Sequence, residues 1–330
     1  MTYAVLGAGG WGTAFARLLA TSGHKTVLWA RDARQAEAIA ATRRNAKYLP
    51  NVVLPLENLD VTPDLSRAVA EDVLILAVPS FGVANLLRQL EPLIGPSPVI
   101  VNLAKGIDHT TKRTMSQLIA SALPTANVFT LSGPSHAEEV GQDMPTAVVL
   151  AGRDPTVGQE LQYDIATSRF RVYLSEDILG VELCATIKNV IALATGISDG
   201  LGYGDNSRGA LITRGLAEMV RFGRTFGVCD ETFFGLSGLG DLVATCTSQH
   251  SRNRHVGWRL GHGESLEMIL SEMDMVAEGV HATSIVHKIA VEKHVEMPIT
   301  EAVHRLLQGV ADPLSLVEAI MTRAPKREGI

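Results

Sequence analysis

Tyr3-Ala4-Val5-Leu6-Gly7-Ala8-Gly9-Gly10-Trp11-Gly12 is the stretch that decides the fold. A short β-rich run ends on Gly-x-Gly-x-x-Gly, and the residues that follow read as a helix to about Ser22, stopped by Gly23. In that setting Gly7 permits a tight turn, Gly9 lets a pyrophosphate reach the backbone, and Gly12 allows the helix to pack closely on the strand. The helix N-terminus then turns its N–H groups toward the phosphates. The bland alternative is a glycine-rich turn with no ligand. The strand before the glycines and the helix after them count against it.

Outward from this turn, β-rich runs alternate with helical patterns: Tyr3–Leu6, Thr26–Trp29, Val73–Val78, Val99–Leu103, Val128–Leu131, Ala147–Ala151 and Arg171–Leu174. The alternation predicts βαβ units and a largely parallel, doubly wound sheet of the Rossmann type. The nearly continuous apolar character of the strands predicts helices on both of its faces. Beyond Gly180 the texture changes. Val181, Cys184, Ile187, Ile191 and Ala194 recur at helical spacing, as do Leu211, Gly215, Leu216, Met219 and Val220. Further helices are predicted over Ser251–Leu260, Thr283–Glu292, Thr300–Leu307 and Pro313–Thr322. The fold class is therefore an α/β domain over 1–177 followed by an all-α domain over 178–330, with the boundary near Asp177.

Composition agrees with two packed domains. The chain has 330 residues, 46% hydrophobic and 19% charged, against about 100–200 residues for a typical domain. A net charge of −6 offers no bulk positive field, which argues against nucleic acid or a membrane surface as the main partner. Cys184, Cys229 and Cys246 are odd in number and lack the spacing of a metal knuckle, a pattern that fits a reducing cytoplasm. The N-terminus reaches glycine before a basic and apolar leader could form. The longest apolar runs look strand-sized, short of the roughly 20 residues of a membrane span.

At the end of the second strand, where an acid usually binds both ribose hydroxyls, the chain reads Ala30-Arg31-Asp32. Arg31 suits a 2′-phosphate or stacking on adenine, or is simply a solvated arginine, while Asp32 keeps NAD(H) open beside NADP(H). Lys105 and the Ser132-Gly133-Pro134-Ser135 turn follow strands, on the side of an open sheet where ligands bind. Lys188 lies between Ile187 and Ile191 on an apolar helix. Desolvation would favour its neutral form and Asp241 its charged one, and the balance suits a general acid or base. The alternative is a lysine that snorkels to solvent. Ser251 can cap a helix that opens with Arg252 and Asn253, which makes an anion site beside the Gly238-Leu239-Gly240-Asp241 loop.

Gly7–Gly12, Lys105-Gly106, Ser132–Ser135, Lys188-Asn189-Val190, Ala210–Gly215, Gly238–Asp241 and Ser251–Arg254, in this order and spacing, resemble the bacterial-type NAD(P)-dependent glycerol-3-phosphate dehydrogenases over nearly the whole chain. The resemblance implies reversible hydride transfer between a nicotinamide and C2 of dihydroxyacetone phosphate or sn-glycerol 3-phosphate, supplying glycerophospholipid synthesis in the cytoplasm. It further implies Lys188 as general acid/base, Lys105 polarising the substrate near the nicotinamide, and Asp241 orienting Lys188. Thr245 would hydrogen-bond the substrate, Ser251, Arg252 and Asn253 would hold its phosphate, and Gly133 and Ser135 would line the same cleft between the domains. For NAD(H) or NADP(H) the implied contacts include Gly10, Trp11, Arg31, Lys105, Ala137, Arg252 and the Val276–Gly279 turn with Glu278. Gly10 replaces a polar residue, and His136 an apolar or aromatic one, of the usual family pattern. No metal is expected, and a homodimer is compatible with the pattern. A β-hydroxyacid or ketopantoate-type dehydrogenase and a non-catalytic dinucleotide sensor are the competing readings; Lys188, Asp241 and Arg252 together weigh against the sensor.

Overall fold

The computed structural model describes residues 1–273, 277–324 and 327. Its contacts divide the chain into two compact units, Met1–Ile178 and Leu179–Ile330. The first unit holds eight strands: β1 Tyr3–Leu6, β2 Thr26–Trp29, β3 Leu59–Thr62, β4 Val73–Leu76, β5 Val99–Asn102, β6 Asn127–Ser132, β7 Thr146–Gly152 and β8 Phe170–Ser175. Its helices are α1 Gly10–Thr21, α2 Ala33–Thr42, α3 Leu65–Ala68, α4 Ser80–Leu90, α5 Met115–Ala122, α6 Ala137–Gly141 and α7 Pro155–Ile165.

The strand order is β3-β2-β1-β4-β5-β6-β7-β8. The first six strands are parallel neighbours, the doubly wound arrangement expected from the alternation. Period-two alternation then decides which side chain faces which layer. Val5, Leu28, Ile75 and Val101 point to the layer of Phe15 and Leu19 from α1, while Leu6, Val27, Leu76 and Ile100 point to that of Val83, Leu86 and Leu87 from α4.

Two features depart from the sequence expectation. β3 was not expected: Leu59-Asp60-Val61-Thr62 is a short edge strand with Asp60 exposed, too polar to read as a buried run. β7 runs antiparallel to β6, and Gly152 on β7 lies opposite Phe129, where a Cβ would fall 1.9 Å from the phenyl ring.

The second unit is helical. α8 Ile178–Gly200, which begins at the unit boundary, and α9 Asp205–Arg224 are its long elements. α10 Asp230–Phe234, a π-helical turn at Leu236–Gly240, α11 Asp241–Thr247, α12 Arg252–Gly261, α13 Leu266–Ser271, α14 Glu278–Glu292, α15 Pro298–Leu307 and α16 Pro313–Met321 follow. α8 corrects the expectation that every apolar run is strand-sized: it is long and apolar enough to cross a membrane. However, 89% of its apolar window is buried inside the protein, as in a core helix.

Candidate active site

In the first unit the glycine turn has the form its sequence foretold. Gly7 adopts φ +129, and a Cβ there would lie 2.8 Å from the backbone of Ala77. At Gly12 a Cβ would meet the Gly7 carbonyl at 2.0 Å, so the turn closes only without a side chain. Gly9 is different: nothing lies within 4 Å of its Cβ position, and it caps α1 without a side-chain acceptor. The space beside Gly9, at the N-terminus of α1, is what lets a pyrophosphate approach the backbone. These residues fit a dinucleotide. Gly10 packs against the Ala137 methyl, 3.6 Å from its Cβ position, and Trp11 is half-buried with its ring 5.6 Å from that of Phe15.

Sequence reading missed what holds this turn. The Ala8 carbonyl accepts from Asn45 Nδ2 at 2.9 Å and from Gln35 Nε2 at 2.8 Å, and Asn45 also donates to Thr13 Oγ1 at 2.7 Å. Asn45 is fully buried, yet in the sequence it is one polar residue in a loop. Arg31 is exposed past the end of β2, whereas Asp32 caps α2, its Oδ1 accepting from Gln35 N at 2.9 Å. That bond commits one carboxylate oxygen to the helix rather than to a ribose.

β1, β5 and β6 run in the same direction, so Gly7, Lys105 and Gly133 all follow strand ends on the carboxyl side of the sheet. The Asn102 side chain folds onto the Ala104 backbone, with its Nδ2 donating to the carbonyl and its Oδ1 accepting from the N–H, both at 3.0 Å. This sets the turn that carries Lys105. The half-buried Lys105 Nζ donates to the Gly133 carbonyl at 3.4 Å, and Ser135 Oγ donates to the same oxygen at 2.9 Å. Gly133 has φ +144, and a Cβ there would strike Val148 Cα at 2.9 Å.

In the second unit Lys188 does not snorkel. It is 4% exposed, and its Nζ donates to Asp241 Oδ1 at 2.6 Å and to Thr245 Oγ1 at 2.7 Å. Thr245 in turn donates to Asp241 Oδ1 at 3.3 Å, one turn along α11. Burying an ammonium costs several kcal/mol unless a carboxylate and further acceptors compensate, and here both do. The π-helical turn delivers Asp241 to the start of α11. At Gly238 a Cβ would lie 2.1 Å from the Phe233 carbonyl, so the glycines permit this tight crossing. Cys246, also buried, packs beside this group, and burial pushes its thiol up to about 12.

Ser251 caps α12 as expected, its Oγ accepting from Arg254 N at 3.2 Å, and Arg252 is exposed at the first helical position. The Asn253 side chain is engaged inside the unit. Its Nδ2 donates to Asn189 Oδ1 at 2.9 Å, and its Oδ1 accepts from Gly279 N at 2.8 Å. Asn189, next to the lysine, is thereby linked to the start of α14, which carries the half-buried Glu278. Val276 lies outside the described residues. α8 and α12 meet backbone to backbone: Cβ atoms at Gly196 and Gly257 would lie 2.1 Å from the carbonyls of Arg254 and Leu193, and at Gly200 and Gly261 they would be nearly as close. Among the described residues no group of three or more His, Cys, Asp or Glu is arranged to hold a metal ion.

Comparison with known proteins gives the family. Residues 2–157 match the family model for the NAD-dependent glycerol-3-phosphate dehydrogenase N-terminus and residues 177–318 that for its C-terminus. The glycerol-3-phosphate dehydrogenase [NAD(P)+] of Geobacter sulfurreducens is 48% identical over 98% of this chain and 98% of its own. This chain belongs to the NAD(P)-dependent glycerol-3-phosphate dehydrogenases. As a member of that family it is an oxidoreductase acting on a CH–OH group with NAD(H) or NADP(H). A glycerol-3-phosphate dehydrogenase from Carboxydothermus hydrogenoformans is 46% identical, covering 98% of this chain and 97% of its own. Among solved structures, the glycerol-3-phosphate dehydrogenase of Coxiella burnetii superposes with a TM-score of 0.94 at 40% identity, covering 98% of this chain and 99% of its own. A ketopantoate reductase from Ralstonia eutropha shares only the fold, at 18% identity and a TM-score of 0.66.

Proposed function

We propose that this dehydrogenase interconverts dihydroxyacetone phosphate and sn-glycerol 3-phosphate, with residues 1–177 binding the dinucleotide and 178–330 the triose. The observation that carries the reading is the Lys188 amine, almost fully buried and clamped between Asp241 and Thr245. Gly7, Gly9, Gly10, Trp11 and Gly12, with Arg31 and Ala137, would hold the nicotinamide cofactor, which would supply the hydride.

Lys188 then acts as the proton donor. As the C2 carbonyl oxygen gains negative charge, an Nζ proton passes to it and the amine becomes neutral; oxidation runs the same path backwards. Asp241 keeps the amine charged and aimed, because its carboxylate favours the protonated form. Lys105 adds positive charge near the reacting carbonyl, and Gly133 and Ser135 line the approach. Thr245 presents its hydroxyl to the substrate. Ser251, Arg252 and the backbone N–H of Asn253 hold the phosphate at a helix N-terminus, where the dipole and a guanidinium act together. Arg31 would meet the 2′-phosphate if NADP(H) is the cofactor, and both NAD(H) and NADP(H) stay open. The product serves glycerophospholipid synthesis, the enzyme is cytoplasmic, and it works as a homodimer.

The test is spectrophotometric. Purified protein with NADPH should consume the cofactor when dihydroxyacetone phosphate is added and not when ketopantoate or another 2-keto acid is. Turnover with the keto acids alone would overturn the substrate, and binding without turnover would make the chain a sensor. A higher kcat/KM with NADH than with NADPH removes the 2′-phosphate role of Arg31.

A further inference from the structure

Arg254, in the first turn of the helix proposed to hold the phosphate, is ion-paired with a carboxylate near the end of α8. Asp199 has a side chain only 6% exposed and divides its two oxygens between two helices. Oδ2 accepts from Arg254 Nε at 2.8 Å and lies 2.7 Å from its Nη2. Oδ1 accepts from Arg208 Nη2 at 2.7 Å and Nε at 3.2 Å. Arg208 lies in the first turn of α9 and Arg254 in the first turn of α12, so one carboxylate fixes the starts of two helices to the helix that carries Lys188.

Arg254 is held twice over. Its carbonyl is pressed against Gly196, one turn of α8 before Asp199, and its side chain is held by Asp199 itself. A backbone contact alone stops the helices approaching further but leaves α12 able to roll. A guanidinium presenting two N–H groups to one oxygen removes that freedom, because the fork has a fixed plane. The N-terminal turn of α12 is thereby set in azimuth, and Arg252 and the backbone N–H groups of the turn follow.

We propose that Asp199 is a positioning residue for the substrate phosphate: through Arg254 it fixes the angle at which Ser251, Arg252 and Asn253 present their donors. The inference rests on the assignment of that turn to the phosphate. Charge alone predicts the opposite behaviour, which makes the idea separable. Neutralising Asp199 removes a negative charge near an anion site, so by electrostatics alone Asp199→Asn would tighten phosphate binding. By positioning it loosens it.

The experiment measures steady-state kinetics of Asp199→Asn, Asp199→Glu, Arg254→Gln, the Asp199→Asn/Arg254→Gln double variant and Arg252→Ala. Substrates are dihydroxyacetone phosphate and phosphate-free dihydroxyacetone at saturating NADPH. The expected result for Asp199→Asn is a rise in KM for the phosphorylated substrate of about ten-fold or more, as for misaligned charged hydrogen bonds. Its kcat, its KM for NADPH and its kcat/KM with dihydroxyacetone stay near wild type. Arg254→Gln shows the same split, the double variant is no worse than either single one, and Asp199→Glu regains part of the loss. A KM that falls, an equal loss with both substrates, or additive single effects would overturn the proposal. Should Asp199→Asn fail to fold, Arg254→Lys, which keeps the charge and loses the fork, reads the same pair: a KM for dihydroxyacetone phosphate that rises at unchanged kcat/KM with dihydroxyacetone supports positioning, and an unchanged KM overturns it. If Arg252→Ala leaves KM for dihydroxyacetone phosphate unchanged, it is the phosphate assignment that fails. If Arg252→Ala raises KM and Asp199→Asn does not, only the role of Asp199 is lost.

Discussion

Lys188 illustrates how a single side chain binds chemistry to stability. Its ammonium is buried because Asp241 and Thr245 accept from it, so removing it deletes the proposed acid/base group and strands a buried carboxylate. Lys188→Ala should lower kcat by about 10²–10⁴-fold with little change in NADPH affinity. Stopped-flow cofactor binding beside steady-state assays checks this, and an unchanged kcat would remove Lys188 from the mechanism. Asn45 is the counterpart on the cofactor side. Asn45→Ala takes away two hydrogen bonds that hold the glycine turn, at a cost of about 1–3 kcal/mol. We expect a raised KM for NADPH at unchanged KM for dihydroxyacetone phosphate; the reverse pattern would be inconsistent with a role in the turn. Lys188 was legible from its apolar helical setting and Asp241 from its glycine loop. Asn45, Gln35 and Asp199 were not, because each acts through a partner distant in the sequence, and a lone polar residue carries no spacing that names its partner.

At the level of elements, glycines inside buried helices are the informative residues. Gly196 and Gly257, inside their helices, cost helix propensity, about 1 kcal/mol each relative to Ala, and the close crossing of α8 and α12 is what offsets it. Gly257→Ala forces a methyl to 2.1 Å from the Leu193 carbonyl. The helices must part, with a loss of about 1–3 kcal/mol or more, seen as a lower Tm together with weaker triose phosphate binding. A Tm within error of wild type would show that the crossing has slack. The sequence displayed the apolar periodicity of α8 but not which helix would lie against its glycines.

Glu218 ties α9 to the start of α15, accepting from Ile299 N, from Thr300 N at 3.1 Å and from Thr300 Oγ1 at 2.9 Å. Burial raises its carboxyl from 4.5 to about 7, against the lowering effect of those donors. The ionised form is thus the costly one in the folded protein. Glu218 contributes most below 4.5, and that contribution is lost as pH rises toward about 7. Glu218→Gln should flatten this dependence: apart from a constant offset, wild type loses up to about 3 kcal/mol relative to the variant between those limits. Thermal melts across the range check it, and parallel curves would exclude the titration.

On the scale of the whole molecule, β1, β2, β4, β5 and β6 and both layers of the sheet were readable because parallel βαβ units repeat a simple pattern. The antiparallel setting of β7 was not, since a strand buried on both faces has the same composition in either direction. β3 escaped because an edge strand keeps a polar face. The glycine turn gives a global readout. Gly9 has open space at its Cβ position and an ordinary backbone conformation, so Gly9→Ala should leave the unliganded Tm nearly unchanged. NADPH at about 100 times its Kd should stabilise wild type by about 2.7 kcal/mol, and the variant much less. An equal ligand-induced shift in both would place the pyrophosphate elsewhere.

The surroundings of Cys246 have a practical outcome. Sealed from solvent and resistant to ionisation, that sulfur ignores alkylating reagents and mild oxidants, and Cys184 is likewise enclosed. Cys229, exposed at the head of α10, is left to react, so a fluorophore placed there labels the native enzyme at one site without entering its catalytic interior.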